Sequence, residues 1–263
     1  MSAATVGILR CGEPPEALRA EHGSYDDMVR RLLGPGREAE VFDATRPGGL
    51  PPVGAHAALV LTGSPAGVYD DLPWIPPLLA HLRAARGRAR LVGLCFGHQA
   101  MAVAFGGRVV KSPKGWGVGV HRYAVVARAN WMDDGDAREV RAPASHQDQV
   151  VEPPPGARVT LASDFTPFAG LDHGDAISFQ FHPEFTPGFG RALVEATRDR
   201  YGARAAPALA SYEGPSPTDN ARVARWIGRF LDAPRRATGP DGRLESGGTA
   251  RPARPPTLNP ARG

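Results

Sequence analysis

Short apolar runs alternate with amphipathic stretches along the first part of the chain. The apolar runs are rich in Val, Leu and Ile and are too short for helices, so they predict buried strands. The stretches between them carry apolar residues at helical spacing, and several end at glycine. We expect strands at 5–10, 38–44, 57–63 and 90–95, and helices over 18–33, 75–87 and 97–107. Strands and helices that alternate in this way favour a parallel sheet with helices on both faces.

From residue 108 the pattern changes to the alternating apolar and polar positions of antiparallel strands. Such strands are expected within 108–129, at 157–164 and at 176–185, with helices at 187–202 and 218–232. The last helix has one apolar face, formed by Val223, Trp226, Ile227 and Phe230. The expected fold class is therefore α/β, with an open, mostly parallel central sheet, flanking helices and a small antiparallel portion.

Composition separates the C-terminal end from the rest of the chain. The 263 residues carry a formal net charge of +4, and residues 234–263 hold six Arg against Asp241 and Glu245, also a net of +4. Residues 1–233 are therefore near neutral and are expected to form one domain. The Pro, Gly and Arg content of 234–263 predicts a disordered tail. This tail has no aromatic residue for base stacking and the domain has no convincing helix-turn-helix, so we expect no nucleic-acid partner.

The two cysteines are too few for a disulfide framework, which is typical of a reducing compartment. The N-terminus lacks a basic segment followed by a long apolar one, so no signal sequence is predicted. No stretch approaches the roughly 18 apolar residues that a membrane span needs. We therefore expect a cytoplasmic protein that does not interact with membranes.

The segment LVGLCFGHQA places Cys95 between Gly93 and Gly97, after a predicted strand and before a predicted helix. This arrangement is the thiol form of a nucleophile elbow, in which a tight turn leaves no room for side chains two residues to either side. The helix that follows would direct its N-terminal N–H groups at the sulfur and favour the thiolate. The alternative is a buried cysteine in a strand that happens to end in glycine.

A base for this thiol is sought among the eight histidines. In FQFHPEF, His182 ends an apolar strand and Glu184 follows two residues later, which in an extended chain is the same face. The carboxylate could then hold one ring nitrogen while the other faces the thiol. A surface His-Pro turn is the alternative. Backbone N–H groups of the turn at Gly63 and Ser64, together with that of Phe96, are candidates for an oxyanion hole.

These blocks resemble the class I (triad) glutamine amidotransferases, and within them the stand-alone domains similar to the glutaminase half of GMP synthase. The resemblance rests on LTGSPAGVYDD, GLCFGHQ, SHQDQV and FQFHPEF, which follow the family order across roughly residues 5–230. It implies a flavodoxin-like fold. It also implies that Gln99 helps to hold the substrate, and that Ser145 and His146 contact the substrate's α-amino and α-carboxylate groups.

The resemblance further implies that Cys95 forms a γ-glutamyl thioester, that His182 is the general base and acid, and that Glu184 orients His182. It implies glutamine or a γ-glutamyl compound as the substrate. No cofactor is expected, and no metal, because the histidines lack ligand spacing. The turn around Gly63 and Ser64 departs from the Gly-Gly-Pro of much of the family, so the N–H that points inward stays open.

Three functions remain at this stage. The chain could be a glutaminase that passes ammonia to a separate synthetase partner, since no synthetase segment or P-loop pattern is seen in this sequence. It could be a stand-alone γ-glutamyl hydrolase or transferase for one metabolite. It could also be a non-catalytic regulatory or binding module, against which the intact residues of the triad argue. Lys114, Trp116 and residues 69–71 could line the site or be structural, and Cys11 is expected to be a packing thiol.

Overall fold

The computed structural model describes residues 5–132, 135, 137–215 and 217–234. All elements belong to the compact unit Met1–Ala233. Residues 235–263, nearly all of the segment expected to be a disordered tail, lie outside the described residues, so its disorder stays a prediction. No helix in the described ranges is long and apolar enough to span a membrane.

A nine-stranded mixed sheet forms the centre of the unit, and a separate two-stranded sheet lies outside it. The strands are β1 (Val6–Arg10), β2 (Ala39–Asp43), β3 (Ala58–Leu61), β4 (Arg90–Leu94), β5 (Arg108–Lys111), β6 (Gly117–Val125), β7 (Glu139–His146), β8 (Asp148–Glu152), β9 (Arg158–Ala162), β10 (Gly170–Asp172) and β11 (Ala176–Phe179). The large sheet has the order β2-β1-β3-β4-β11-β10-β9-β6-β7, and β5 pairs with β8.

The first five strands of that order pair in parallel, and the remaining pairs are antiparallel. The expected α/β fold, with a parallel central sheet and an antiparallel portion, is thus confirmed. β4 lies between β3 and β11, and the carboxyl ends of these three parallel strands meet at one edge. Ligands of open α/β sheets bind at this kind of edge.

Eight α-helices flank the sheets within the described residues. They are α1 (Glu16–His22), α2 (Tyr25–Leu33), α3 (Ile75–Ala85), α4 (Phe96–Ala104), α5 (Pro187–Ala196), α6 (Arg198–Tyr201), α7 (Ala205–Ala210) and α8 (Asn220–Asp232). In α8 the four residues of the expected apolar face are all buried. Asp219 lies at the start of this helix but makes no capping bond there, because its carboxylate accepts from the backbone of Arg141.

Two helices expected to be continuous are each divided. The helix over 18–33 breaks at Gly23, and Ser24 starts a new helix with a capping box, in which its hydroxyl and the Asp27 carboxylate each accept a backbone N–H from the other residue. The helix over 187–202 breaks at Thr197. Apolar spacing continues across both breaks, so it did not reveal them. Helix α7 was not expected at all.

Candidate active site

Cys95 lies at the turn between β4 and α4, at the carboxyl edge of the parallel strands. It is the only non-glycine residue with positive φ among the residues described (φ 50°, ψ −100°), a conformation that costs about 1–3 kcal/mol. A Cβ on Gly93 would lie 2.6 Å from the backbone carbonyl of Gly97, and one on Gly97 would lie 2.6 Å from the Cβ of Leu61. Both glycines are therefore required by close approach.

The backbone and the sulfur of Cys95 are held by the last residue of β11 and by the segment that follows it. The Cys95 N–H donates to the carbonyl of Phe179 at 2.8 Å. The sulfur accepts from Nε2 of Gln180 at 3.8 Å, and Cys95 lies close enough to His182 for its charge to raise the pKa of that ring. The residue is only 5% exposed, so a reagent reaches the sulfur only through the cleft beside it.

His182 and Glu184 meet in a turn, not in a strand. β11 ends at Phe179, and the N–H of Phe185 bonds to the carbonyl of His182 at 3.2 Å, which closes a turn with Pro183 at its second position. Proline favours this position because its φ is preset. Nδ1 of His182 lies 2.7 Å from Oε1 of Glu184. The expected contact is present, but the strand argument that led to it was wrong.

Charge and packing fix the ring of His182. Burial by itself lowers the pKa of His182, but the charges of Cys95 and Glu184 and the hydrogen bond to Glu184 outweigh it and raise the pKa to about 10. The ring of Phe185 stacks on the imidazole with centroids 3.9 Å apart and an interplanar angle of 8°. Since Nδ1 is held by Glu184, Nε2 is the ring nitrogen left for the sulfur.

The turn after β3 comes within contact distance of this pair. A Cβ on Gly63 would lie 3.0 Å from Cε1 of His182 and 3.8 Å from the Cβ of Cys95. Ser64 lines the cleft, and its hydroxyl accepts from the N–H of Ala66 at 3.1 Å. Phe96 is the first residue of α4, so its N–H belongs to the helix start, where the helix supplies no acceptor. The residues expected to supply the oxyanion donors thus lie close to Cys95, and their role as donors stays a prediction.

Gln99, Ser145 and His146 all line the same cleft. Nε2 of Gln99 donates to the carbonyl of Asp148 at 3.0 Å, and the hydroxyl of Ser145 lies 3.0 Å from that of Tyr201. The ring of His146 is bonded through Nδ1 to the same carbonyl of Asp148 at 3.2 Å. Burial lowers the pKa of His146 to about 3, so its ring is neutral at physiological pH.

The cleft has a volume of about 450 Å³. Its lining includes Cys95 and His182 together with the aromatic side chains of Tyr25, Trp116 and Tyr201. A volume of this size lies in the range of pockets for drug-sized ligands.

Some of the residues whose role the sequence left open line the cleft, and others pack around it. Trp116 lines the cleft and packs edge-on against Tyr201, whereas Lys114 donates to the carbonyls of residues 164 and 165. Tyr69 also lines the cleft, and its hydroxyl donates to Asp148 at 2.8 Å. Cys11 is buried, and burial raises the pKa of its thiol to about 12, as fits a packing role.

Sequence reasoning missed Gln180. Its side chain is fully buried and contacts both the sulfur of Cys95 and the amide of Gln99. The available signal was a lone glutamine between Phe179 and Phe181, because a polar side chain in a buried apolar segment needs a partner. In the parts of the chain that the structure describes, no three His, Cys, Asp or Glu side chains are grouped as a metal site.

The family model for class-I glutamine amidotransferases matches residues 28–196, more than half of the chain. The chain belongs to this family. The general activity of this chain is therefore that of a glutamine amidotransferase, which hydrolyses glutamine. The matched residues include Cys95, His182 and Glu184.

Individual relatives agree with the family match. A glutamine amidotransferase-like protein of Schizosaccharomyces pombe is 28% identical over 73% of this chain and 84% of its own length. One subunit of the glutamine-hydrolysing GMP synthase of Ignicoccus hospitalis is 33% identical, over 62% of this chain and 84% of that relative. The GMP synthase of Thermus thermophilus is 34% identical, but the match spans only 31% of that enzyme.

Solved structures support the fold. A glutamine amidotransferase from Thermotoga maritima superimposes with a TM-score of 0.68 at 17% identity, covering 89% of this chain and all of the other. One from Methylobacillus flagellatus gives 0.65 at 24% identity, covering 88% and 92%. These structures establish the class I glutamine amidotransferase fold for the chain.

Proposed function

We propose that this glutamine amidotransferase cleaves the side-chain amide of glutamine through a thioester on Cys95, with His182 and Glu184 as the other members of a catalytic triad. The observation that carries the proposal is the 2.7 Å contact of Glu184 with the ring of His182, which lies beside Cys95 in the lining of one cleft. Such a chain of contacts, each residue orienting the next, is what an activated nucleophile requires.

The reaction follows from the charges of these groups. With its pKa raised to about 10, the ring of His182 carries a proton at neutral pH and stabilises the thiolate beside it. The thiolate attacks the amide carbon, and the N–H of Phe96 with the turn at Gly63 and Ser64 stabilises the oxyanion. Nε2 of His182 gives its proton to the leaving nitrogen, and ammonia departs.

The second half of the reaction returns the site to its starting state. Water enters the position that ammonia has left, and Nε2 of His182, now neutral, accepts a proton from it as it attacks the thioester. The carbon–sulfur bond breaks, glutamate is released, and the thiolate–imidazolium pair is restored. Gln99, Ser145 and His146 line the cleft and hold the amino-acid part of the substrate.

We further propose that a separate synthetase takes up the ammonia. The Ignicoccus relative is described as one subunit of its GMP synthase, and the Thermus relative is a longer chain of which this sequence matches 31%. Both support a division of labour in which the glutaminase part works with a second catalytic part. The acceptor of ammonia for this chain stays open.

A second candidate is a hydrolase of larger γ-glutamyl compounds. The observation that favours it is the cleft volume of about 450 Å³ with aromatic walls at Tyr25, Trp116 and Tyr201. This space extends well beyond a single amino acid, and aromatic walls suit an apolar leaving group.

Ammonia release from L-glutamine and amine release from γ-glutamyl anilide distinguish the two candidates. A higher kcat/KM for glutamine supports the glutaminase, and a higher value for the anilide supports the second candidate. Cys95→Ala should abolish both reactions, and Glu184→Gln should reduce kcat by about 10²–10⁴. Cys11→Ala removes a buried thiol outside the site and is the matched control. Activity that survives in Cys95→Ala would contradict both candidates.

A further inference from the structure

We propose that Gln180 is a further catalytic residue, whose side-chain N–H stabilises the thiolate of Cys95. The proposal rests on the proposed function, since it concerns the sulfur that serves there as the nucleophile. Nε2 of Gln180 lies 3.8 Å from that sulfur, and the Gln180 side chain is completely buried. A buried donor held this close stabilises the charged form of its acceptor.

The orientation of the Gln180 amide follows from its neighbours. A backbone carbonyl only accepts, so the group of Gln99 that lies 3.0 Å from the carbonyl of Asp148 is its NH₂. The same NH₂ lies 3.3 Å from the amide of Gln180, so the atom of Gln180 that faces it must be the oxygen. The NH₂ of Gln180 then faces the sulfur. The reversed amide would set two NH₂ groups against each other and an oxygen against a thiolate.

The position of Gln180 is also fixed through its backbone. Its N–H donates to the carbonyl of Ala169 at 2.9 Å, at the point where β11 has ended. The next residue but one is His182, so the donor and the imidazolium reach the sulfur from one short segment. The sulfur therefore has two supporting groups, a positive ring and a neutral N–H.

This arrangement gives Gln99 a second role. Its NH₂ is engaged with Asp148 and Gln180, so this group sets the orientation of the Gln180 amide. Gln99 is thereby a positioning residue for the nucleophile in addition to lining the cleft. Substitution of Gln99 is therefore expected to lower the reactivity of the Cys95 sulfur. A residue that only binds substrate would not have this effect.

The test is the pH dependence of Cys95 alkylation by iodoacetamide in the full chain, followed by peptide mass spectrometry. Gln180→Met keeps the length of the side chain but removes the donor, and Gln180→Glu places a carboxylate against the sulfur. We expect the midpoint of thiolate reactivity to move about one unit to higher pH in Gln180→Met, and further in Gln180→Glu. Below the midpoint this is an alkylation rate about tenfold lower.

Gln149→Met is the matched control, because Gln149 is a buried glutamine on β8 without a contact to the sulfur. Its alkylation profile should equal that of the wild-type chain. An unchanged profile in folded Gln180→Met, or an equal shift in Gln149→Met, would overturn the proposal. The readout needs no substrate: if the wild-type chain fails to hydrolyse glutamine while the predicted shift appears, the proposed function fails, and only the stabilisation of the thiolate by Gln180 stands.

Discussion

Gly63→Ala tests how closely the turn after β3 is fitted to the site. The substitution adds a Cβ 3.0 Å from Cε1 of His182, where ordinary contacts lie at 3.4 Å or more. The backbone of Gly63 does not have positive φ, so alanine adopts it without strain. The ring of His182 is held by the 2.7 Å bond to Glu184 and by its stack on Phe185. A displacement of a few tenths of an ångström therefore falls on the imidazole and the oxyanion position.

The magnitude follows from that displacement. A misplacement of 1 Å costs about 10²-fold in rate, so a few tenths of an ångström should lower kcat by about tenfold. Stability should hardly change, because replacing glycine by alanine at a permitted φ stabilises by about 0.4–1 kcal/mol through the unfolded chain and offsets the tight contact. The assay is ammonia release from glutamine at saturation, with thermal unfolding measured on the same samples.

Gly188→Ala is the control, because its Cβ would have its nearest neighbour at 3.9 Å, the hydroxyl of Thr186 in the same helix region. It should leave kcat unchanged. Full activity in Gly63→Ala would refute the reasoning, since the ring of His182 would then tolerate the added methyl group. A loss of activity that merely follows a loss of folded protein would refute it as well.

Two further predictions concern stability. Burial lowers the pKa of three histidines, to about 3 for His98 and His146 and to about 4 for His173, from an ordinary value of 6.5. They gain protons on unfolding, so the stability that these three groups contribute should be complete above pH 6.5 and fall below it, by up to about 1.4 kcal/mol per pH unit for each. The raised pKa of His182 acts in the opposite direction above pH 6.5, but it is one group against three. A urea midpoint that is the same at pH 7.5 and pH 5 would contradict this. Gly97→Ala should destabilise by about 1–3 kcal/mol, because the new Cβ lies 2.8 Å from the carbonyl oxygen of Leu61 and strand β3 must shift. An unchanged urea midpoint would show that the elbow is not tightly packed.

Local periodicity accounts for much of the fold, because most buried strands and amphipathic helices carry their own pattern, although β7, β8 and β10 were not predicted. It failed where one pattern continued across a break. Gly23 and Thr197 each divide a helix whose apolar spacing runs on, and the capping box at Ser24 decides the first of these breaks. Pairings such as β5 with β8 depend on contacts between distant segments, which periodicity along the chain does not encode.

The residues of the candidate site could be predicted where their role depends on residues close to them in sequence. The spacing around Cys95 and the pair of His182 and Glu184 were both visible in the chain. Gln180 was not identified, because its role depends on a contact with Cys95, which is 85 residues away in sequence and 3.8 Å away in the fold. The roles of the site residues stay predictions, while membership of the family is shown.

The central claim is that Cys95 is the nucleophile toward glutamine, and covalent labelling tests it most directly. The purified chain is incubated with a diazo-ketone analogue of glutamine, with Cys95→Ala alongside, and the intact mass and the labelled peptide are measured. The account predicts one adduct, on Cys95, that excess L-glutamine prevents. A chain that stays unlabelled, while the same cysteine reacts after denaturation, would contradict the account.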